Sequence, residues 1–190
     1  GNGNFPKFTM PLDFEQRHTG TINIDYRLNE GEGPTLFGIK PLEMLGVNLL
    51  YSFNSGHPYT RMIAGNTLPF DGRYDNDRVS EKPLTAVNTE TTPWVYRFDL
   101  RLDRKIMLPL GDAALTLSLY VLNLFNTENI RNVWITTGLG NDTGYLRTED
   151  GRTYYNNLST VGKQNYKMRE SDYYNYGVPR QIRLGAKIQF

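Results

Sequence analysis

The sequence predicts an all-β fold, an antiparallel meander of about five long strands forming the C-terminal part of a transmembrane β-barrel. Three observations predict it. The final residues alternate polar and apolar and stop on an aromatic, Phe190. Four upstream segments repeat that alternation. Short and long connections follow one another between them, as in outer-membrane barrels with tight turns on one side and long loops on the other.

The first segment runs from about Arg17 to Leu28, with Ile22, Ile24, Tyr26 and Leu28 on one face and Thr21, Asn23, Asp25 and Arg27 on the other. The second, Leu45 to Asn54, sets Leu45, Val47, Leu49, Tyr51 and Phe53 against mostly small or polar residues. In the third, Trp94 to about Met107, Trp94, Tyr96, Phe98, Leu100 and Leu102 share a face. The opposite face carries Arg97, Asp99, Arg101 and Asp103, charges that alternate in sign. The fourth runs from Leu115 to about Asn126 and the fifth from Arg180 to Phe190. Helical spacing of apolar residues is poor throughout.

Pro109-Leu110-Gly111-Asp112 reads as a tight turn, and the stretches after Asn54 and Asn129 as long loops. Residues 29–44, with Gly31, Gly33 and Pro34, make a longer link than a tight turn requires. An arginine on the lipid face near the midplane costs roughly 2 to 4 kcal/mol, and the outward positions named above avoid it. Five strands do not close a barrel, the smallest of which uses about eight. With no initiating methionine or signal peptide before Gly1, residues 1–190 read as the C-terminal segment of a longer chain.

Bulk properties agree. The net charge is +1 and basic residues are scattered, which argues against nucleic acid as a partner. No apolar run reaches the ~18 residues of a membrane helix, but a barrel hides its membrane character because only alternate residues meet lipid. The absence of cysteine decides little.

Chemistry-bearing motifs are absent: there is no nucleophile elbow, phosphate loop or zinc-protease pair. His18 and His57 lack clustered partners in sequence, and Ser55 beside His57 reads as loop composition. Asp142 and Asp150 match no calcium loop, so no catalytic residue, cofactor or metal ligand is assigned. The tyrosine-rich stretch from Arg131 to Val178, above all Tyr145, Tyr154 and Tyr155, offers rings and amides suited either to a ligand or to an interfacial girdle.

Five segments together resemble the C-terminal end of the barrel in TonB-dependent outer-membrane receptors. They are Leu12-Asp13-Phe14-Glu15-Gln16-Arg17-His18, Asn54-Ser55-Gly56-His57-Pro58-Tyr59-Thr60, Tyr96-Arg97-Phe98-Asp99-Leu100-Arg101-Leu102, Val121-Leu122-Asn123-Leu124-Phe125-Asn126 and the Phe190 terminus. The resemblance implies a barrel of twenty-two strands around a plug domain and energy-coupled uptake of a siderophore, cobalamin, oligosaccharide or peptide, in the outer membrane of a Gram-negative bacterium. Its partners would be outer-membrane lipid, the barrel-assembly machinery, the protein's own plug and the inner-membrane energy-coupling protein. On that reading Arg97, Asp99, Arg101, Asp103, Arg183 and Lys187 face the lumen, and Arg183, Gly185, Ile188 and Phe190 form the assembly signal. Neither plug nor coupling box lies in these residues. A soluble all-β carbohydrate-binding module remains the alternative.

Overall fold

A computed structural model describes residues 9–63, 82–109 and 113–190. The long strands are β1 (Thr19–Arg27) and β2 (Leu45–Asn54); β5 (Val95–Met107), β6 (Ala114–Leu122) and β7 (Gln181–Gln189) follow. Between β2 and β5 lie the short strands β3 (Pro58–Tyr59) and β4 (Glu90–Thr91), which pair with each other. The long strands form one sheet in the order β1-β2-β5-β6-β7, so each pairs only with its neighbours in the chain of long strands.

The pairing is antiparallel, with Ile24 opposite Leu49, Leu102 opposite Leu119 and Leu119 opposite Leu184. Between β2 and β5 the Lys105 N–H donates to Met44 O (3.1 Å) and Tyr51 stacks on Phe98 with centroids 4.4 Å apart, two contacts that fix one antiparallel register. A meander in which every step joins adjacent strands is what five period-two segments dictate, because one slip in register would turn an entire apolar set to the wrong face.

The expected strands therefore form, with trimmed ends. β6 stops at Leu122, not Asn126, because Asn123 and Asn126 both take left-handed backbone (φ 53° each). Asn tolerates that region better than other non-glycine residues. The turn expected at Pro109-Leu110-Gly111-Asp112 falls largely outside the described residues.

Packing divides the chain into two compact units. One comprises Thr19–Asn54, Tyr96–Glu128 and Val178–Phe190 and holds the five-stranded sheet. The other comprises Gly1–His18, Ser55–Val95 and Asn129–Gly177. Here the expectation of poor helicity is corrected: α1 (Glu149–Asn156) and α2 (Thr160–Glu170) lie within the tyrosine-rich stretch. Their signals are terminal, not periodic. The Thr148 and Ser159 side chains cap α1 and α2 by accepting from the N–H groups of Gly151 and Gly162, and Glu149 and Asp150 sit in the first turn of α1 where the helix dipole favours them.

Tyr145, Tyr166 and Glu170 form the buried heart of this unit. Glu170 is only 1% exposed, and its carboxylate accepts from the Thr143 N–H and hydroxyl (3.2 and 3.1 Å) and from Lys167 Nζ (2.7 Å). A buried charge persists only when so satisfied.

Candidate functional site

The registers place Ile22, Ile24 and Tyr26 beside Tyr51, Leu49 and Val47, and carry the same face through Leu100, Leu102, Leu119 and Val121 to Leu184 and Ile182. Ile22, Ile24, Tyr26, Leu184 and Ile188 on the outermost strands and Leu117 on β6 are all exposed, so this apolar face is uncovered there. A contiguous surface of that kind marks an interaction or membrane surface.

The other face is charged and internally paired. Arg97 Nε lies 2.9 Å from Asp99 Oδ2 and Arg101 Nε 2.9 Å from Asp103 Oδ1, each pair two residues apart on β5 and hence on one side of the sheet. The Arg101 guanidinium also stands 5.1 Å over the ring of Tyr120, its cross-strand partner. From β1, Arg27 reaches Asp103 at 3.9 Å across Gly46 of β2. A Cβ there would stand 2.8 Å from Asp103 Oδ2, so any larger residue would make the carboxylate shift. Solvated pairs of this type contribute about 0.2–1 kcal/mol each, so the ladder sets the character of the face more than its stability.

Arg183 donates to Gln181 Oε1 (2.9 Å) on the same face, opposite Tyr120, and Lys187 stands opposite Thr116. The six residues expected to face a lumen thus share one side of the sheet. Along β7, Arg183 and Gly185 lie on that side and Ile188 on the apolar side, and Phe190 follows the strand with its side chain 98% exposed.

One residue departs from the pattern. Two steps beyond Leu102, Arg104 pairs with Leu117 on the apolar face. The sequence alternation already placed it there, one position past the outward residues considered.

Asn-Leu-Phe-Asn, read as part of the fourth strand, is the junction that follows it. Asn123, 2% exposed, donates through Nδ2 to Thr127 O (3.0 Å) and Val178 O (3.1 Å), and its Oδ1 accepts from the Thr127 N–H (2.9 Å). Leu124 N–H donates to Phe98 O (2.7 Å), Phe125 packs edge-on to Phe98 (5.1 Å), and Asn126 Oδ1 accepts from the Arg180 N–H (2.9 Å). These four residues end β6 while binding it to β5 and to the approach of β7.

Of the tyrosines suited either to a ligand or to a girdle, Tyr145 is 6% exposed and packs against Tyr154 (6.4 Å), because α1 folds over it. Tyr155 packs edge-on to Tyr166 (5.4 Å), and burial raises the phenol pKa of both Tyr145 and Tyr166 above the usual range. The exposed rings are Tyr154, Tyr173 and Tyr174, the last two 4.1 Å apart.

Distant segments also meet in this unit. Gln16 Nε2 donates to Ser55 O (3.3 Å) and lies 3.1 Å from His57 Nε2, while His18 stacks on Trp94 (5.7 Å, 10°). The proximity of Ser55 and His57 is therefore structural: Ser55 Oγ accepts the His18 N–H (3.1 Å), and His57 exchanges backbone-side bonds with Thr92. Among the described residues no three His, Cys, Asp or Glu side chains gather as a metal site.

Comparison with protein-family models, curated proteins and solved structures finds no match to this chain.

Proposed function

We propose that the chain is part of the barrel wall of a TonB-dependent outer-membrane receptor that takes up a large substrate, a siderophore, cobalamin, oligosaccharide or peptide. The observation that carries this reading is the two-faced sheet. An apolar face crosses all five long strands, and the reverse face holds an ion-pair ladder. Lipid is the solvent that accepts the first face, and a water-filled or plug-filled lumen accepts the second. Arg97, Asp99, Arg101, Asp103, Arg183 and Lys187 then offer the plug or the passing substrate both signs of charge, and the chain performs no covalent chemistry.

Cell fractionation tests the proposal. The protein should sediment with the outer membrane and leave it only in detergent. A monomer recovered from the aqueous fraction would overturn the reading in favour of a soluble carbohydrate-binding module, with the Tyr173–Tyr174 rings as its first candidate contact.

A further inference from the structure

Arg104 stands on the apolar face with Leu117 opposite on β6 and Ala186 next along on β7. Around it Leu45, Leu102, Leu119 and Leu184 help to line a hollow of about 540 Å³. Its Nε is buried without a hydrogen-bond partner, and among the described residues the guanidinium forms no ion pair. Asp103 also borders the hollow, but its carboxylate is engaged on the opposite face by Arg101 and Arg27. A guanidinium planted in a mostly apolar hollow and left unmatched among the described residues calls for an anion that brings its own hydrocarbon.

We propose that this hollow binds the phosphate headgroup of an anionic glycerophospholipid, with the acyl chains lying along the leucines. The inference rests on the reading of the apolar face as lipid-facing. Arg104 lies three residues before the end of β5 at Met107, near the short-connection end of the strand. There the cost of a lipid-facing arginine falls to about 0–1 kcal/mol, and the long side chain can reach headgroup depth. The forked guanidinium matches two phosphate oxygens at once, which a lysine does not.

The test is native mass spectrometry of the detergent-solubilised protein titrated with phosphatidylglycerol or with phosphatidylcholine of the same acyl chains. The wild type should retain phosphatidylglycerol preferentially, and Arg104→Leu should lower that retention roughly fivefold. Arg104→Lys should restore part of it. Lys105→Gln, which removes a cation from the opposite face of the same strand, should leave it unchanged. Arg104→Leu places an apolar side chain on an apolar face, so it retains the fold, and Arg104→Gln provides a second uncharged variant. Equal retention by wild type and both neutral variants overturns the lipid site while leaving the membrane reading intact. A protein that needs no detergent and retains neither lipid overturns both.

Discussion

Asp99 accepts the main-chain N–H of Asn123 through Oδ1 at 2.9 Å, so a side chain of the charged face of β5 also fastens the point where β6 ends. The same carboxylate pairs through Oδ2 with Arg97. One residue therefore links the ladder of charges to the junction that leads toward β7.

Asn123→Ala should be among the most damaging single changes in the sheet. It removes three part-buried side-chain bonds, to Thr127 O, Thr127 N and Val178 O, worth about 0.5–1.5 kcal/mol each, and puts a β-carbon without compensating polarity at positive φ. A loss of about 3 kcal/mol or more in unfolding free energy, read from denaturant titration, is expected, with Asn123→Asp intermediate because it keeps only the acceptor.

Gly56→Ala should disrupt the pairing of Ser55–His57 with Thr92. A Cβ there would lie 1.7 Å from Thr92 O, a main-chain atom that has no rotamer to yield. The expected result is a loss of several kcal/mol, whereas Gly185→Ala, whose Cβ meets Ser118 Cβ at an ordinary 3.8 Å, should cost under about 1 kcal/mol. Comparing the two variants by thermal midpoint separates steric necessity from the general cost of replacing glycine.

Phe37→Gly should stabilise. Phe37 holds φ 52° at the tip of the link between β1 and β2 while 96% exposed, so its ring contributes little burial in return for the strain. Relief of about 1 kcal/mol is expected from denaturant midpoints. The adjacent Gly38, already at φ 80°, should tolerate no such exchange in the opposite direction.

Tyr166 gives the pH dependence. Burial raises its phenol pKa above the ordinary value of about 10, so the folded chain holds its proton after the unfolded chain releases it. Below pH 10 both states are neutral and the residue contributes no slope. Above it the unfolded state ionises first, the unfolded chain then binds fewer protons, and stability falls as pH rises. The midpoint of unfolding should decline above pH 10, and Tyr166→Phe should flatten that decline; an identical slope in the variant would show that Tyr166 is not its source.

Deleting Phe190 should lower the amount of protein reaching the outer membrane, measured by immunoblot of fractionated cells. Its side chain is almost wholly exposed and contributes little packing to the sheet, so a drop in abundance without a drop in the stability of the folded fraction isolates a recognition role.

The sheet was legible because period two survives averaging: Ile22–Leu28, Leu45–Phe53 and Ile182–Phe190 each announce a face without reference to any partner. The ladder Arg97–Asp103 was equally open, since same-strand spacing alone brings each arginine to its aspartate. The helices were hidden because Gly151, Tyr154 and Tyr155 dilute any apolar stripe, leaving only the caps at Thr148 and Ser159 to betray them. The burial of Tyr145 was not legible, because composition does not distinguish a buried ring from a displayed one. The meeting of Gln16 with His57, or of Asn123 with Val178, joins residues tens of positions apart and carries no local signature.

The neighbour-to-neighbour order of the long strands also shapes how quickly the sheet can assemble. Met107 pairs with Ala114, so β5 and β6 close the shortest of the chain loops between long strands and lose the least entropy in meeting. Leu122 pairs with Gln181 only after the whole helical stretch has been spanned. The β5–β6 hairpin is thus the natural nucleus, and the Asn123 bond to Val178 belongs to a late event that locks β7 in place. Asn123→Ala should consequently accelerate unfolding far more than it slows folding.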